Sequence, residues 1–295
     1  MTTTTPTSGV IHDIGYRHYD GDRRGRRYIR RSLYVDSLKG AYGLGRSARS
    51  KVLPMILFAV MCLPALAIVA ITAVTGEDEL VGGYPTYVLN LQMVVLIFLA
   101  AQAPVAVSRD LRFGVMSLYF SRPLERVDYV LAKYAAMTSA LFVLTAAPLT
   151  MMLAGALVVG LPVTEQIPDY LTAVAGAGLA SLILGGIGLV IAAFTPRRGL
   201  AVAAIIAVLL VLAAVQGITQ GLATSEGYDE IAPYLGLLSP FPLVLGIQSS
   251  LLGTASPLPS PPGTIGGLVF CATAVLAIVV PYAVLSLRYR SVSVS

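Results

Sequence analysis

Apolar residues fall into six long runs separated by polar stretches: 52–74, 87–107, 134–160, 171–194, 200–222 and 266–287. At about 1.5 Å per residue, the first of these reaches roughly 34 Å, enough to cross a bilayer's hydrocarbon core with some tilt. The pattern predicts an all-α polytopic membrane protein with six transmembrane helices. Pro54, Pro64 and Pro104 lie inside runs and predict local kinks that neighbouring helices must pack around. The fourth run carries Gly176, Gly178, Gly185, Gly186 and Gly188 among Ala and Ser. Such a composition allows close backbone approach, either within the bundle or across a dimer.

The stretches between runs carry patterns of their own. Residues 1–25 show no helical or strand period and read as a mobile cytoplasmic arm. Within 26–51, Tyr34, Val35, Leu38, Ala41 and Tyr42 share one helical face while Ile29 and Leu33 fall off it, so an amphipathic interfacial helix is predicted. A basic flank that only sets orientation is the simpler reading. Residues 223–265 contain YLGLLSPFPLVLGIQSSLLG, broken by Ser239, Pro240 and Pro242 into halves too short to span. A re-entrant or interfacial pair of half-helices on the outer side is expected. The segment 108–133, SRDLRFGVMSLYFSRPLERVDYVLAK, repeats Leu111, Val115 and Leu118 at helical spacing. Gly114 within it suggests a turn or a close contact, and a second helix runs on from Pro123 into the third span. It reads as a short amphipathic helix at a mechanical joint or as an ordinary loop with basic flanks.

Charge orients the pattern. Of 20 Lys and Arg, eleven precede the first run, five lie in 108–133, two are Arg197 and Arg198, and two are Arg288 and Arg290. The opposite loops hold no base and eight acids, including Glu77, Glu165 and Glu226. The positive-inside rule therefore places both termini, the 108–133 segment and the 288–295 tail in the cytoplasm of a cell whose plasma (inner) membrane the chain crosses. A mean hydropathy of +0.80 and 12% charged residues exclude a soluble fold. The arginines are accounted for by a lipid-facing anchor, and no nucleic-acid partner is expected.

No run contains Asp, Glu, Lys, Arg or His, which removes the machinery of proton-coupled transport. Asn90, Gln92, Gln102, Thr138, Gln216 and Gln220 are the candidate pathway residues, unless they simply bond between helices. Cys62 and Cys271 lie in apolar runs as small hydrophobes, and His12 and His18 have no companion ligands at a recognised spacing. No metal is expected. Each of Lys39, Lys51 and Lys133 follows a residue other than Gly, so the phosphate-binding pattern GxxxxGK(S/T) is missing. The chain is not expected to be an enzyme or to bind a cofactor itself, and energy for any pumping must come from another chain.

The string SRDLRFGVMSLYFSRPLERVDYVLAKY after the second run resembles the cytoplasmic loop of type-2 ATP-binding-cassette (ABC) exporter permeases, commonly (S/E)xDxxxGxxxxxLxxPxxRxxYxxxK. The six runs, the basic helix before the first and LSPFPLVLGIQSSLLG before the last are similar to that family too. The resemblance covers the chain from about residue 26. It implies that Arg109, Asp110, Arg112, Gly114 and Leu118 form a coupling helix docking on a separate ATPase subunit, which binds ATP and Mg. Arg122, Pro123, Arg126 and Tyr129 would link that helix to the third span. The 26–45 helix would be a connecting helix meeting the ATPase through the face of Tyr34, Val35, Leu38 and Tyr42, and 233–252 an extracellular helical hairpin. A second permease copy, identical or paralogous, would complete a pathway for lipids or amphipathic drugs. The alternative is a non-transporting membrane sensor or scaffold that recruits a cytoplasmic partner through the same loop.

Overall fold

A computed structural model describes residues 15, 21, 25–77, 79–80, 82–108, 110, 124–195, 197–261 and 263–290. The described residues are helical, with no strand among them. In chain order the helices are α1 (Arg26–Ala41), α2 (Ala48–Thr75), α3 (Gly83–Asn90), α4 (Gln92–Ala106), α5 (Arg126–Val159), α6 (Val163–Phe194), α7 (Arg198–Ser225), a 3-10 helix (Ala232–Leu238), α8 (Pro240–Leu252) and α9 (Gly263–Arg290).

Five helices, α2, α5, α6, α7 and α9, are each long and apolar enough to cross a membrane. The α3–α4 pair makes a sixth if it is counted as one broken span, bent by 50°. The chain is thus a multi-pass membrane protein. The bend falls at Leu91 rather than at Pro104, which α4 incorporates, and α2 runs on through Pro54 and Pro64. A proline inside a helix forfeits one backbone hydrogen bond, and here neighbouring turns carry each helix past the gap. The break inside 223–265 falls at Ser239, between the 3-10 helix and the 13-residue α8. At about 20 Å by the helical rise, α8 is too short to cross.

The packing of α1 departs from the sequence expectation in part: Tyr34, Leu38, Ala41 and Tyr42 of the expected face pack on the core, but they are joined there by Leu33 and Ile29 and not by Val35. Leu33 is its most enclosed large apolar side chain and Ile29 packs against the core, whereas Val35 lines an open groove on the other side with Tyr28, Arg31 and Lys39. The reason is the partner: α1 lies against α5, so protein contacts set its buried face. Tyr34 donates to Ser139 Oγ at 2.9 Å and Tyr42 to the Ala140 carbonyl at 2.7 Å. A tight turn then leads to α2. Gly43 has φ +69°, and a Cβ there would sit 2.4 Å from the Ser50 carbonyl oxygen, so only glycine fits.

The glycines of α6 are filled from within the same chain. A Cβ on Gly188 would lie 2.5 Å from Leu99 Cδ1, one on Gly186 would lie 2.8 Å from the Tyr134 hydroxyl, and one on Gly176 would lie 2.3 Å from Gln248 Nε2. Helices α4, α5 and α8 thereby approach α6 at three levels, making it the most enclosed of the long helices. By contrast, the buried side chains of α7 reduce to Ala201, Ile205, Leu209, Gln216 and Gln220, a single stripe. Gly188→Ala should therefore lower stability by about 1–3 kcal/mol, because Leu99 is fully enclosed and cannot swing away. Gly199→Ala, which meets open space on a helix, should be neutral or gain up to about 1 kcal/mol. Thermal unfolding of the detergent-purified variants distinguishes the two, and equal melting temperatures would contradict the packing account.

Candidate functional site at the base of the 108–133 segment

The described ends of this segment converge on the first two turns of α5. After α4, Ser108 donates its hydroxyl to the Ala192 carbonyl at the end of α6, at 2.7 Å. Two residues later Asp110 is 5% exposed. Its Oδ2 accepts from Lys133 Nζ at 2.9 Å and from the Tyr129 hydroxyl at 2.9 Å. Lys133 is 7% exposed, and its ammonium also stands 5.4 Å from the centre of the Tyr129 ring. Tyr129 and Lys133 lie four apart on α5, the spacing that puts both on one helical face. A lone buried carboxylate or ammonium would be strongly disfavoured, and each here neutralises the other.

Three further elements close on the same turns. The Tyr129 ring packs on that of Tyr289 near the end of α9, with centroids 5.1 Å apart, and Arg126 donates to the Arg290 carbonyl. Burial above all pushes the Tyr289 hydroxyl above its ordinary pKa. On the other side, Arg26 of α1 bonds both Asp128 and Glu125, and Arg30 stands 3.7 Å from Asp128. Asp128 is 3% exposed. The hydrogen bond from Arg26 holds its carboxyl below the usual range, with the Arg26 and Arg30 charges adding to the shift. Asp128 also sits in the first turn of α5, where the helix dipole favours a negative charge.

Beside the Asp110–Lys133 pair lies a polar cavity of about 30 Å³. Ser37 of α1, Arg46, Gln102 of α4, Asp110 and Lys133 line it. Ser37 Oγ is buried with no protein partner. The volume suits one or two waters, and the lining supplies the polar partners that buried water requires.

No protein-family model and no curated protein matches the chain. The site is therefore read from its own geometry.

Of the residues expected to couple to a partner, Asp110 and Arg126 are described and fall at this hub. Arg109, Arg112, Gly114, Leu118, Arg122 and Pro123 lie outside the described residues, as do His12 and His18. Of the connecting-helix residues, Tyr34 and Tyr42 bond α5, Leu38 packs against the core and Val35 faces the groove. The candidate pathway residues do not gather in one place. Gln102 lines the cavity, Asn90 is exposed next to the α3–α4 bend, Gln92 begins α4, and Thr138 has a buried, unpartnered hydroxyl next to Gly185. Gln216 donates to Gln220, which donates to the Ala232 carbonyl at 3.0 Å, so this pair ties α7 to the 3-10 helix. Among the described residues no cluster of His, Cys, Asp and Glu could hold a metal.

Sequence reading did not find Arg26, Asp128 or the partnership of Lys133. The only available signal was a basic helix facing an acidic first turn about a hundred residues away, and nothing local links them.

The depressed Asp128 pKa carries a sign. Its contribution to docking α1 is present above the unfolded value near 3.9 and is lost as pH falls through the lower folded value. Protection of the α1 amides, measured relative to their intrinsic exchange rates at each pH, should thus stay high down to about pH 4 and fall below it, and Asp128→Asn should lower it at neutral pH. A flat profile together with a silent variant would contradict the assignment.

Proposed function

We propose that the chain is the transmembrane permease subunit of an ATP-driven ABC exporter, coupled through residues 108–133 to separate ATPase subunits and paired with a second permease copy. The observation that carries this reading is the meeting of Asp110 and Lys133. These are the aspartate and lysine of the loop pattern the sequence resembles, 23 positions apart, and they join at 2.9 Å at the root of the segment. Joints of this kind serve to transmit displacement: the base touches α1, α5, α6 and α9 through named bonds.

Several other features support the same reading. The basic residues Arg26, Arg30, Arg126, Arg288 and Arg290 cluster at this end of the bundle, consistent with a cytoplasmic location of both termini in the plasma (inner) membrane. Six spans, counting α3–α4 as one, return the chain to the side where it began. The break at Ser239 and the short α8 fit a segment that enters the outer side without crossing, keyed to α6 by Gln248, which donates to the Thr172 carbonyl at 2.7 Å. In this architecture Arg109 and Arg112 reach the ATPase, ATP with Mg binds there, and ATP-driven closure alternates the access of an apolar cargo such as a lipid or amphipathic drug.

The test is reconstitution in proteoliposomes with a candidate ATPase subunit. ATP-dependent efflux of an amphipathic dye or labelled lipid is expected. Arg109→Ala/Arg112→Ala should weaken ATPase association by about tenfold, the equivalent of about 1.4 kcal/mol. ATPase binding without flux would favour a non-transporting scaffold, and unchanged association in the double variant would overturn the role of the loop.

A further inference from the structure

A buried charge and its partner, Asp110 and Lys133, stand on either side of residues 111–123 in the sequence. Asp110 and Lys133 are withdrawn from solvent, so neither is available as a direct contact for a docking partner. Asp110 stands just before residues 111–123 and Lys133 shortly after them, on α5. Their bond closes that stretch of chain at its root. Tyr129 donates to the same Asp110 oxygen, so two donors from successive turns of α5 hold one carboxylate.

The flanks are fixed independently. Ser108 is tied to α6, Arg126 to the end of α9, and Asp128 to α1. A pull on the loop is therefore received by one joint and passed to three helices. The cavity sets the character of that joint. Both members of the pair line it, together with Gln102 and the unpartnered Ser37 hydroxyl. The cavity has room for water, and a water there would solvate part of each charge and let the pair flex without either charge entering an apolar region.

We propose that Asp110 and Lys133 are positioning residues, a water-backed staple that holds the two ends of the 111–123 segment together and aims it at its partner. Only the consequence for coupling rests on the exporter reading, because the staple belongs to this chain alone.

The test uses the full chain in nanodiscs, then with its ATPase. Asp110→Asn/Lys133→Met removes both charges together, leaving no unpaired ion and keeping an acceptor for Tyr129. Its melting temperature should match the wild type, while amides of residues 126–133 exchange about tenfold faster. With the ATPase present, more ATP should be hydrolysed per cargo moved, although the maximal hydrolysis rate is retained. Lys133→Arg, which keeps the pair, should restore both readouts.

Unchanged exchange in the double variant overturns the staple whatever the flux. Faster exchange with wild-type coupling overturns the positioning role. A wild-type chain that moves no cargo with an active ATPase, while the exchange effect holds, sinks the exporter reading and leaves the staple standing. If the double variant aggregates, Asp110→Asn/Lys133→Gln carries the test: it too removes both charges together and should raise the same exchange, and no rise overturns the proposal.

Discussion

A carboxylate and an ammonium can leave water together far more readily than either can alone, and the basic end of this bundle is arranged around that fact. Removing one member of a buried pair costs about 3–5 kcal/mol, a large share of the roughly 5–15 kcal/mol by which folded proteins are stable. Asp110 and Lys133 must therefore stay in register, which fixes the chain beyond α4 against the second turn of α5. Once Lys133 is placed, Tyr129 is placed one turn earlier, and its ring seats Tyr289 of α9. Arg126 and Asp128, one residue and three from the start of α5 as the helix is counted, then face α9 and α1. The convergence of four elements follows from one buried charge pair and the 3.6-residue period of one helix.

The body of the bundle is held by different physics. Between helices surrounded by lipid there is little hydrophobic drive to associate, so close van der Waals packing and backbone approach must supply the contact. Helix α6 meets this demand by lacking side chains where α4, α5 and α8 press on it, at Gly188, Gly186 and Gly176. The helices that pack less, α2, α7 and α9, turn Ile, Leu and Val outward. In a soluble protein such exposure would be a liability, and in hydrocarbon it is the matching surface. Gln216 and Gln220 follow the same economy: an unpaired amide at that depth would be costly, so they bond to each other and to Ala232.

How much of this was legible in the sequence depends on the range of the interaction. The long helices were readable because hydrophobic length is a local property, and the break at Ser239 was readable because Pro240 and Pro242 flank it. The 50° bend at Leu91 was not, since no proline or glycine marks it and tertiary contacts decide it. The packed face of α1 was legible only in part. Tyr34, Leu38, Ala41 and Tyr42 pack on the core, but so do Leu33 and Ile29, while Val35 lines the groove, because protein contacts rather than a lipid interface select the face. At the hub, Asp110 and Arg126 were singled out through a resemblance, while Arg26 and Asp128 were not, because an ion pair across 102 positions leaves no periodic trace.

The two regimes meet in α5. Its first two turns belong to the charged hub, and the remainder, through Tyr134 and Thr138, lies against the glycines of α6. Its 34 residues form one helix from Arg126 to Val159, roughly 50 Å by the helical rise. Pro148 removes one hydrogen bond without ending it. A rod of that length, packed against α1, α2, α4, α6 and α9, moves as a unit or not at all, because close-packed interiors switch between discrete arrangements rather than deforming smoothly. The hub and the far end of the bundle are thus joined by one unbroken helix. The arrangement needs no charge in the hydrocarbon. The ion pairs of Asp110, Glu125 and Asp128 lie together at the start of this helix, and the rest of it is apolar packing.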